Sequence, residues 1–171
     1  AFYKAKKDTF NATDRTELNF KDQGVVLGDK ANTHLTGKID RIIEKSGGTF
    51  EVHDYKTGKA KDGWEGKDQN EKVKLHEYQR QLIFYKLLVE KSRDFGGKYN
   101  VNTGVLEFIE PLGKNVVDIS LNITKEQSDR VEKLACAVYG KILKLDFPDI
   151  SKYSQDLDGI IAFEDDLLKG L

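Results

Sequence analysis

Two β-like runs, residues 35–43 and 49–56, flank the turn-rich Lys45-Ser46-Gly47-Gly48 and read as one antiparallel hairpin. Side chains alternate across a strand, so Phe50, Val52, Asp54 and Lys56 share one face. An apolar face therefore ends in a carboxylate and an ammonium. A register with Ile42 opposite Val52 on the buried side sets Asp40 across from Asp54, with about 5 Å between their β-carbons. Alone, two such like charges destabilise the hairpin. A divalent cation between them reverses the sign, because Mg²⁺ takes oxygen ligands and commonly uses one or two carboxylates with water and substrate phosphate. Lys56, about 6–7 Å further along the strand, is then placed to stabilise charge on a phosphate or to orient an attacking water. The Asp-x-Lys tripeptide carries no weight by itself: with 17 aspartates and 23 lysines in 171 residues, composition alone yields it roughly twice. Its weight comes from its position at the end of an apolar strand, beside a partner run that closes on Gly37-Lys38-Ile39-Asp40-Arg41. The competing reading is a surface hairpin whose Asp40 and Asp54 are neutralised by Lys38 and Lys56.

The elements after the hairpin indicate the class of fold. Leu75, Tyr78, Leu82, Tyr85 and Val89 recur at spacings of three and four, the stripe of an amphipathic helix. Residues 101–109 and 116–121 return to strand composition, and residues 17–20 and 24–27 are short strand-like runs. Thr124 with Gln127 forms a capping box that opens a second helix, whose expected inward face is Val131, Leu134, Val138 and Ile142. Strands, helix, strands, helix predict an α/β or α+β sandwich, with helices covering a central, partly antiparallel sheet. The length of 171 residues, with 38% hydrophobic and 33% charged positions, suits one core rather than two, so residues 1–171 are expected to form a single domain.

Composition excludes several functions. A net charge of −1 shows no global basic excess, so any nucleic-acid contact has to be local. The single Cys136 rules out an internal disulfide, a Cys-based zinc site and a four-cysteine iron–sulfur cluster, and fits a reducing, cytoplasmic compartment. No apolar run reaches the ~18–20 residues of a membrane span, and residues 1–10 are too charged for a signal peptide. A glycine-rich loop ending in Gly-Lys-Ser/Thr is absent, so ATP chemistry is not expected in this chain. The start at Ala1 and the lack of methionine suggest a piece of a longer protein.

Three segments carry a resemblance: Leu35-Thr36-Gly37-Lys38-Ile39-Asp40-Arg41, then Val52-His53-Asp54-Tyr55-Lys56-Thr57-Gly58-Lys59, then Gln81-Leu82-Ile83-Phe84-Tyr85. They are similar, in order, to the signatures of RecB-type nucleases, a branch of the PD-(D/E)XK superfamily with a restriction-endonuclease-like core. The motifs span about a third of the chain. The resemblance implies a Mg²⁺-dependent deoxyribonuclease, with Mn²⁺ as a substitute ion. It implies metal binding by Asp40, Asp54 and the backbone carbonyl of Tyr55, with Lys56 and Gln81 as catalytic partners. Tyr85, four residues from Gln81 on one helix face, is expected at the site and against nucleic acid. Such domains commonly close the C-terminus of helicases related to UvrD, or accompany the RecB and AddAB repair machines, so DNA and helicase domains are the expected partners and an exonuclease the expected activity.

The resemblance has two departures. RecB-type nucleases also use a histidine on a helix well before the first aspartate motif, and many hold an iron–sulfur cluster through cysteines. Neither is matched: His34, His53 and His76 are each expected to be ordinary surface or boundary residues. The missing histidine supports an alternative, a catalytically inactive nuclease-fold module that binds DNA or braces a helicase. In the loop 57–72, Lys59 and Trp64 are candidate DNA contacts, the lysine on phosphate and the indole stacked on a base, against the alternative of a solvated, mobile loop.

Overall fold

The structure is a computed structural model that describes residues 1–28 and 33–170. A short helix α1 (Phe2–Lys6) precedes β1 (Arg15–Asn19) and a two-stranded ribbon of β2 (Val26–Leu27) and β3 (Thr33–His34). Then come β4 (Lys38–Lys45), β5 (Thr49–Lys56), the long helix α2 (Gln69–Glu90), β6 (Asn100–Phe108), β7 (Asp118–Asn122), α3 (Lys125–Lys144) and α4 (Leu157–Lys169). The main sheet runs β1-β4-β5-β6-β7. Among the described residues, only the β5–β6 pair of this sheet is parallel. Parallel neighbours need a crossover connection, and α2 supplies it. The α/β class expected from the element order is the class observed.

The hairpin forms as its sequence predicts. Gly47 and Gly48 take φ of +73° and +70° in the β4–β5 turn, a backbone region that L side chains avoid. Ile42 stands opposite Val52 and Glu44 opposite Phe50, so Phe50 and Val52 point into the core beneath α2. Helix α2 starts at Asp68, whose carboxylate accepts from the Glu71 amide at 2.8 Å. It buries Leu75, Leu82, Ile83, Leu87, Leu88 and Val89, each such aliphatic contributing about 1.5–3 kcal/mol when fully removed from water. The capping box of α3 is present, with Thr124 Oγ1 accepting from the Gln127 amide at 3.3 Å and Gln127 Oε1 from the Thr124 amide at 2.9 Å.

Several expectations need correction. Strand β4 begins at Lys38, because residues 35–37 do not join the ladder. The run 24–27 forms only the two-residue β2, in a ribbon apart from the main sheet. Val138 and Ile142 are 41% and 50% exposed: they line an open apolar groove of about 420 Å³, flanked by Ile160 and Phe163 of α4, instead of meeting the sheet. Cys136 is half-buried. Helix α4 was not anticipated, although Ile160, Phe163 and Leu167 show helical spacing after the Asp156 cap. Among the described residues no helix is long and apolar enough to cross a membrane.

Helix α2 lies close against the sheet at Gly104 on β6, where an added β-carbon would sit 2.8 Å from Leu82 Cβ. Gly104→Ala is therefore expected to destabilise the fold by about 1–3 kcal/mol through overpacking. Urea denaturation with an unchanged midpoint would show that α2 has room to retreat from the sheet.

Candidate active site

The backbone ladder between β4 and β5 ends at the pair Arg41–His53. Beyond it the amide of Tyr55 donates to Asp40 Oδ2 at 2.9 Å. The Asp40 carboxylate thus lies across the end of the hairpin and takes the place of a ladder partner. Asp54 is 3% exposed. Its Oδ1 accepts from the Tyr85 hydroxyl at 2.9 Å. Its Oδ2 lies 2.6 Å from Lys56 Nζ, an ionic contact outside hydrogen-bond alignment, and has no hydrogen-bond partner.

Helix α2 closes the cluster. Lys56 Nζ donates to Gln81 Oε1 at 2.6 Å, and Gln81 Nε2 donates to the Tyr85 hydroxyl at 3.3 Å. Gln81 and Tyr85 meet because residues four apart share a helix face. The Tyr78 ring, one turn earlier, lies 4.4 Å from Lys56 Nζ in a cation–π contact. Asp40, Asp54, Lys56, Gln81 and Tyr85, proposed from separate motifs, therefore converge at one end of the sheet. Tyr78 was read only as part of the apolar stripe, and its four-residue offset from Leu82 held no signal of this contact.

Burial pushes the Asp54 carboxyl up, and the charge of Asp40 adds to this; Lys56 and the Tyr85 hydroxyl pull the other way, and the net result stays above the ordinary carboxylate range. Burial, with the Asp54 charge beside it, also raises the Tyr85 hydroxyl. Two carboxylates on neighbouring strands, one with a buried oxygen met by the Lys56 ammonium alone, form an oxygen donor set suited to a hard divalent cation. Among the described residues no group of three or more His, Cys, Asp or Glu side chains is arranged to hold a metal ion. The protein would thus contribute two carboxylates and the Tyr55 carbonyl, a sparse set of the kind Mg²⁺ completes with water and phosphate.

Other expected residues lie differently. Tyr85 is buried, with its hydroxyl turned to Asp54. Trp64 donates its indole N–H to the Ser120 carbonyl at 2.7 Å and packs half-buried against the core. This contact anchors the loop to β7. That loop is tied down further by Lys61–Glu71 at 2.6 Å and by burial of Ala60, while Lys59 is exposed. His34 is exposed and His76 sits 3.1 Å from Glu164. His53 is buried rather than superficial, on the sheet face opposite Asp54, with its ring nitrogens 2.6 Å from Glu107 and 2.9 Å from Glu51. The sequence held no sign of these partners beyond the alternation that turns His53 away from the site.

The raised pKa of Asp54 has a consequence for stability. A carboxyl raised in the folded state costs stability wherever it is ionised, and the cost disappears as pH falls through its folded value toward its unfolded one. Asp54→Asn is therefore expected to melt at a higher temperature than the wild type at pH 7. The gap should close as pH is lowered through the raised pKa. Thermal melts between pH 4 and pH 8 check this; a lower melting point for the variant at pH 7 would mean that Lys56 and Tyr85 fully compensate the buried charge.

Curated proteins yield no match. A solved structure described as "Crystal structure of SSO0001" is similar at 16% identity and a TM-score of 0.38, over 92% of this chain and 62% of that one, a likeness too loose to support an argument. This chain thus spans less than two thirds of that structure's length. Residues 3–153 match the family model of the PD-(D/E)XK nuclease superfamily, a span that takes in the whole site and stops short of α4. With its five-stranded mixed sheet flanked by helices, in keeping with the restriction-endonuclease-like fold, the chain belongs to the PD-(D/E)XK nuclease superfamily.

Proposed function

We propose that residues 1–171 act as one metal-dependent deoxyribonuclease domain that hydrolyses phosphodiester bonds. The observation that supports this best is the closed set of contacts joining Asp54, Lys56, Gln81 and Tyr85, with Asp40 held beside them by the Tyr55 amide. Asp40, Asp54 and the Tyr55 carbonyl would hold Mg²⁺, or Mn²⁺ in its place. When bound, such an ion would supply Lewis-acid polarisation of the phosphate and would make a nearby water more acidic. Lys56 faces the negative charge that builds on the phosphate as water attacks phosphorus in line and the bond to the leaving oxygen breaks. Gln81 and the Tyr78 ring fix the ammonium. Tyr85 donates to the Asp54 carboxylate and favours its ionised, ligand-competent form. Lys59, exposed three residues past Lys56, is placed to contact a DNA phosphate. The three RecB-like motifs further support an exonuclease working beside helicase domains in DNA repair.

A second reading, an inactive nuclease-fold module that binds DNA or braces a helicase, draws on one observation. None of the three histidines stands at the site: His34 is exposed, His53 is turned to the opposite face and His76 is engaged with Glu164.

Asp54→Ala and Lys56→Ala are each expected to lower Mg²⁺-dependent DNA cleavage by about 10²-fold or more while the circular dichroism spectrum is unchanged. Cleavage retained in either variant overturns these roles. Mn²⁺ titration separates the readings further, since saturable binding lost in Asp54→Asn supports a metal site. Binding without cleavage, in the full-length protein, favours the inactive module.

A further inference from the structure

The face of the sheet turned away from Asp54 carries a second polar cluster, far more buried than a surface network. Arg41 is 1% exposed and Glu107 equally so. Arg41 Nε and Nη2 both donate to Asp14 Oδ2, at 2.9 and 2.7 Å, and Nη2 also donates to the Thr9 carbonyl. Its Nη1 lies 3.5 Å from Glu107 Oε1, which is also 2.6 Å from His53 Nδ1. Lys6 Nζ stands 3.1 Å from Glu107 Oε2 and is bonded to Asp118. The first 14 residues close over this cluster. Phe10 lies 4.1 Å from the Arg41 guanidinium, and Phe2 meets the Tyr55 ring edge-on at 6.1 Å.

Strand alternation links this cluster to the site. Arg41 directly follows Asp40, and His53 and Tyr55 bracket Asp54. Each residue that presents a ligand is Tyr55 itself or a chain neighbour of a locked back-face residue. The ladder between β4 and β5 has ended at Arg41–His53, so backbone pairing does not set the spacing beyond it. β1 holds the outer edge of β4. The β5–β6 ladder itself runs on to Lys56 opposite Phe108, so only the β4–β5 spacing is left open. It is bridged by Arg41 to Glu107, which also holds His53, and by Asp40 to the Tyr55 amide.

We propose that the Arg41–Glu107–His53 cluster, clamped by residues 1–14, is the positioning framework that holds Asp40, Asp54 and the Tyr55 carbonyl at the spacing a divalent cation requires. The inference rests on the metal-site reading above. Arg41, His53, Glu107 and Asp14 are positioning residues: they touch neither cation nor substrate, and they act through the strands.

Glu107→Gln preserves shape and removes the charge that Arg41, His53 and Lys6 share. Measured by electron paramagnetic resonance of added Mn²⁺, its affinity is expected to fall about tenfold, as for partners that orient metal ligands elsewhere, with cooperative unfolding retained. Leu134→Ala on α3, distant from the cluster, serves as a control that loses stability without losing Mn²⁺ affinity. A folded Glu107→Gln with wild-type affinity overturns the proposal. So does an equal loss of affinity in Leu134→Ala, which would mean that binding merely follows stability. Should Glu107→Gln fail to fold, Asp14→Asn decides by the same criteria, since it loosens Arg41 at the edge of the cluster. A wild-type chain with no saturable Mn²⁺ binding sinks the metal-site reading itself, a result distinct from either of these.

Discussion

The structure depends on one backbone register, Ile42 opposite Val52 in the β4–β5 hairpin. A slip of one residue would turn every side chain of a strand to the other face. The observed register sends Phe50, Val52, Asp54 and Lys56 toward α2 and Arg41 and His53 toward the N-terminal segment. The apolar members hold it there: Ile42, Phe50 and Val52 are all buried, and exposing them would cost several kcal/mol together. The hydrophobic core thus determines where the charges go, and Asp54 is carried below α2 because it shares a face with Val52.

That placement has an electrostatic cost, visible in the raised pKa of Asp54. Desolvation opposes its charge, and Asp40 nearby opposes it again. Lys56, on the same strand face, and Tyr85, reaching down from α2, supply the partial compensation. Helix α2 therefore has two functions along one stripe. Leu75, Leu82 and Val89 provide burial, while Gln81 and Tyr85 bring polar atoms to the end of the sheet. A buried carboxylate whose environment only partly favours its charge is typical of sites kept for chemistry rather than stability.

What was legible in the sequence was local or periodic. The alternation of β5, the glycines of the turn, the three-and-four spacing of α2 and the Thr124–Gln127 box each act within a few residues, and each predicted its element. The convergence of Gln81 with Lys56 was legible only through the resemblance of three motifs, since 25 residues separate them. The back-face cluster was not legible, because it joins residues 27 and 54 positions apart, Asp14 to Arg41 and His53 to Glu107. No spacing rule connects an aspartate before β1 with an arginine on β4; the sheet order does. His53 was misread for that reason, since alternation shows which way it turns but not that residues 1–14 cover that side. The anchoring of Trp64 was not legible for a related one: an aromatic within a charged loop looks solvated until β7 offers it a carbonyl. Val138 and Ile142 keep helical period, but the sheet does not extend beneath them.

Charge close to the site also depends on tertiary pairing. A chain of net charge −1 meets a polyanion through local cations, and several near the site are already engaged. Lys61 is held by Glu71 and Lys67 by Asp62. Arg80 and His76 on α2, with Arg130 on α3, converge on the buried Glu164 of α4. Helix α4 lies outside the span matched by the superfamily model, and its Glu164 takes up the Arg80 charge on α2. On the nuclease reading, a phosphate approaching the hairpin end would meet the exposed Lys59 first, with Lys56 held by Asp54 and Gln81 until a cation takes over the carboxylate. The path of a bound strand would then be set less by the number of basic residues than by which of them the fold has already paired.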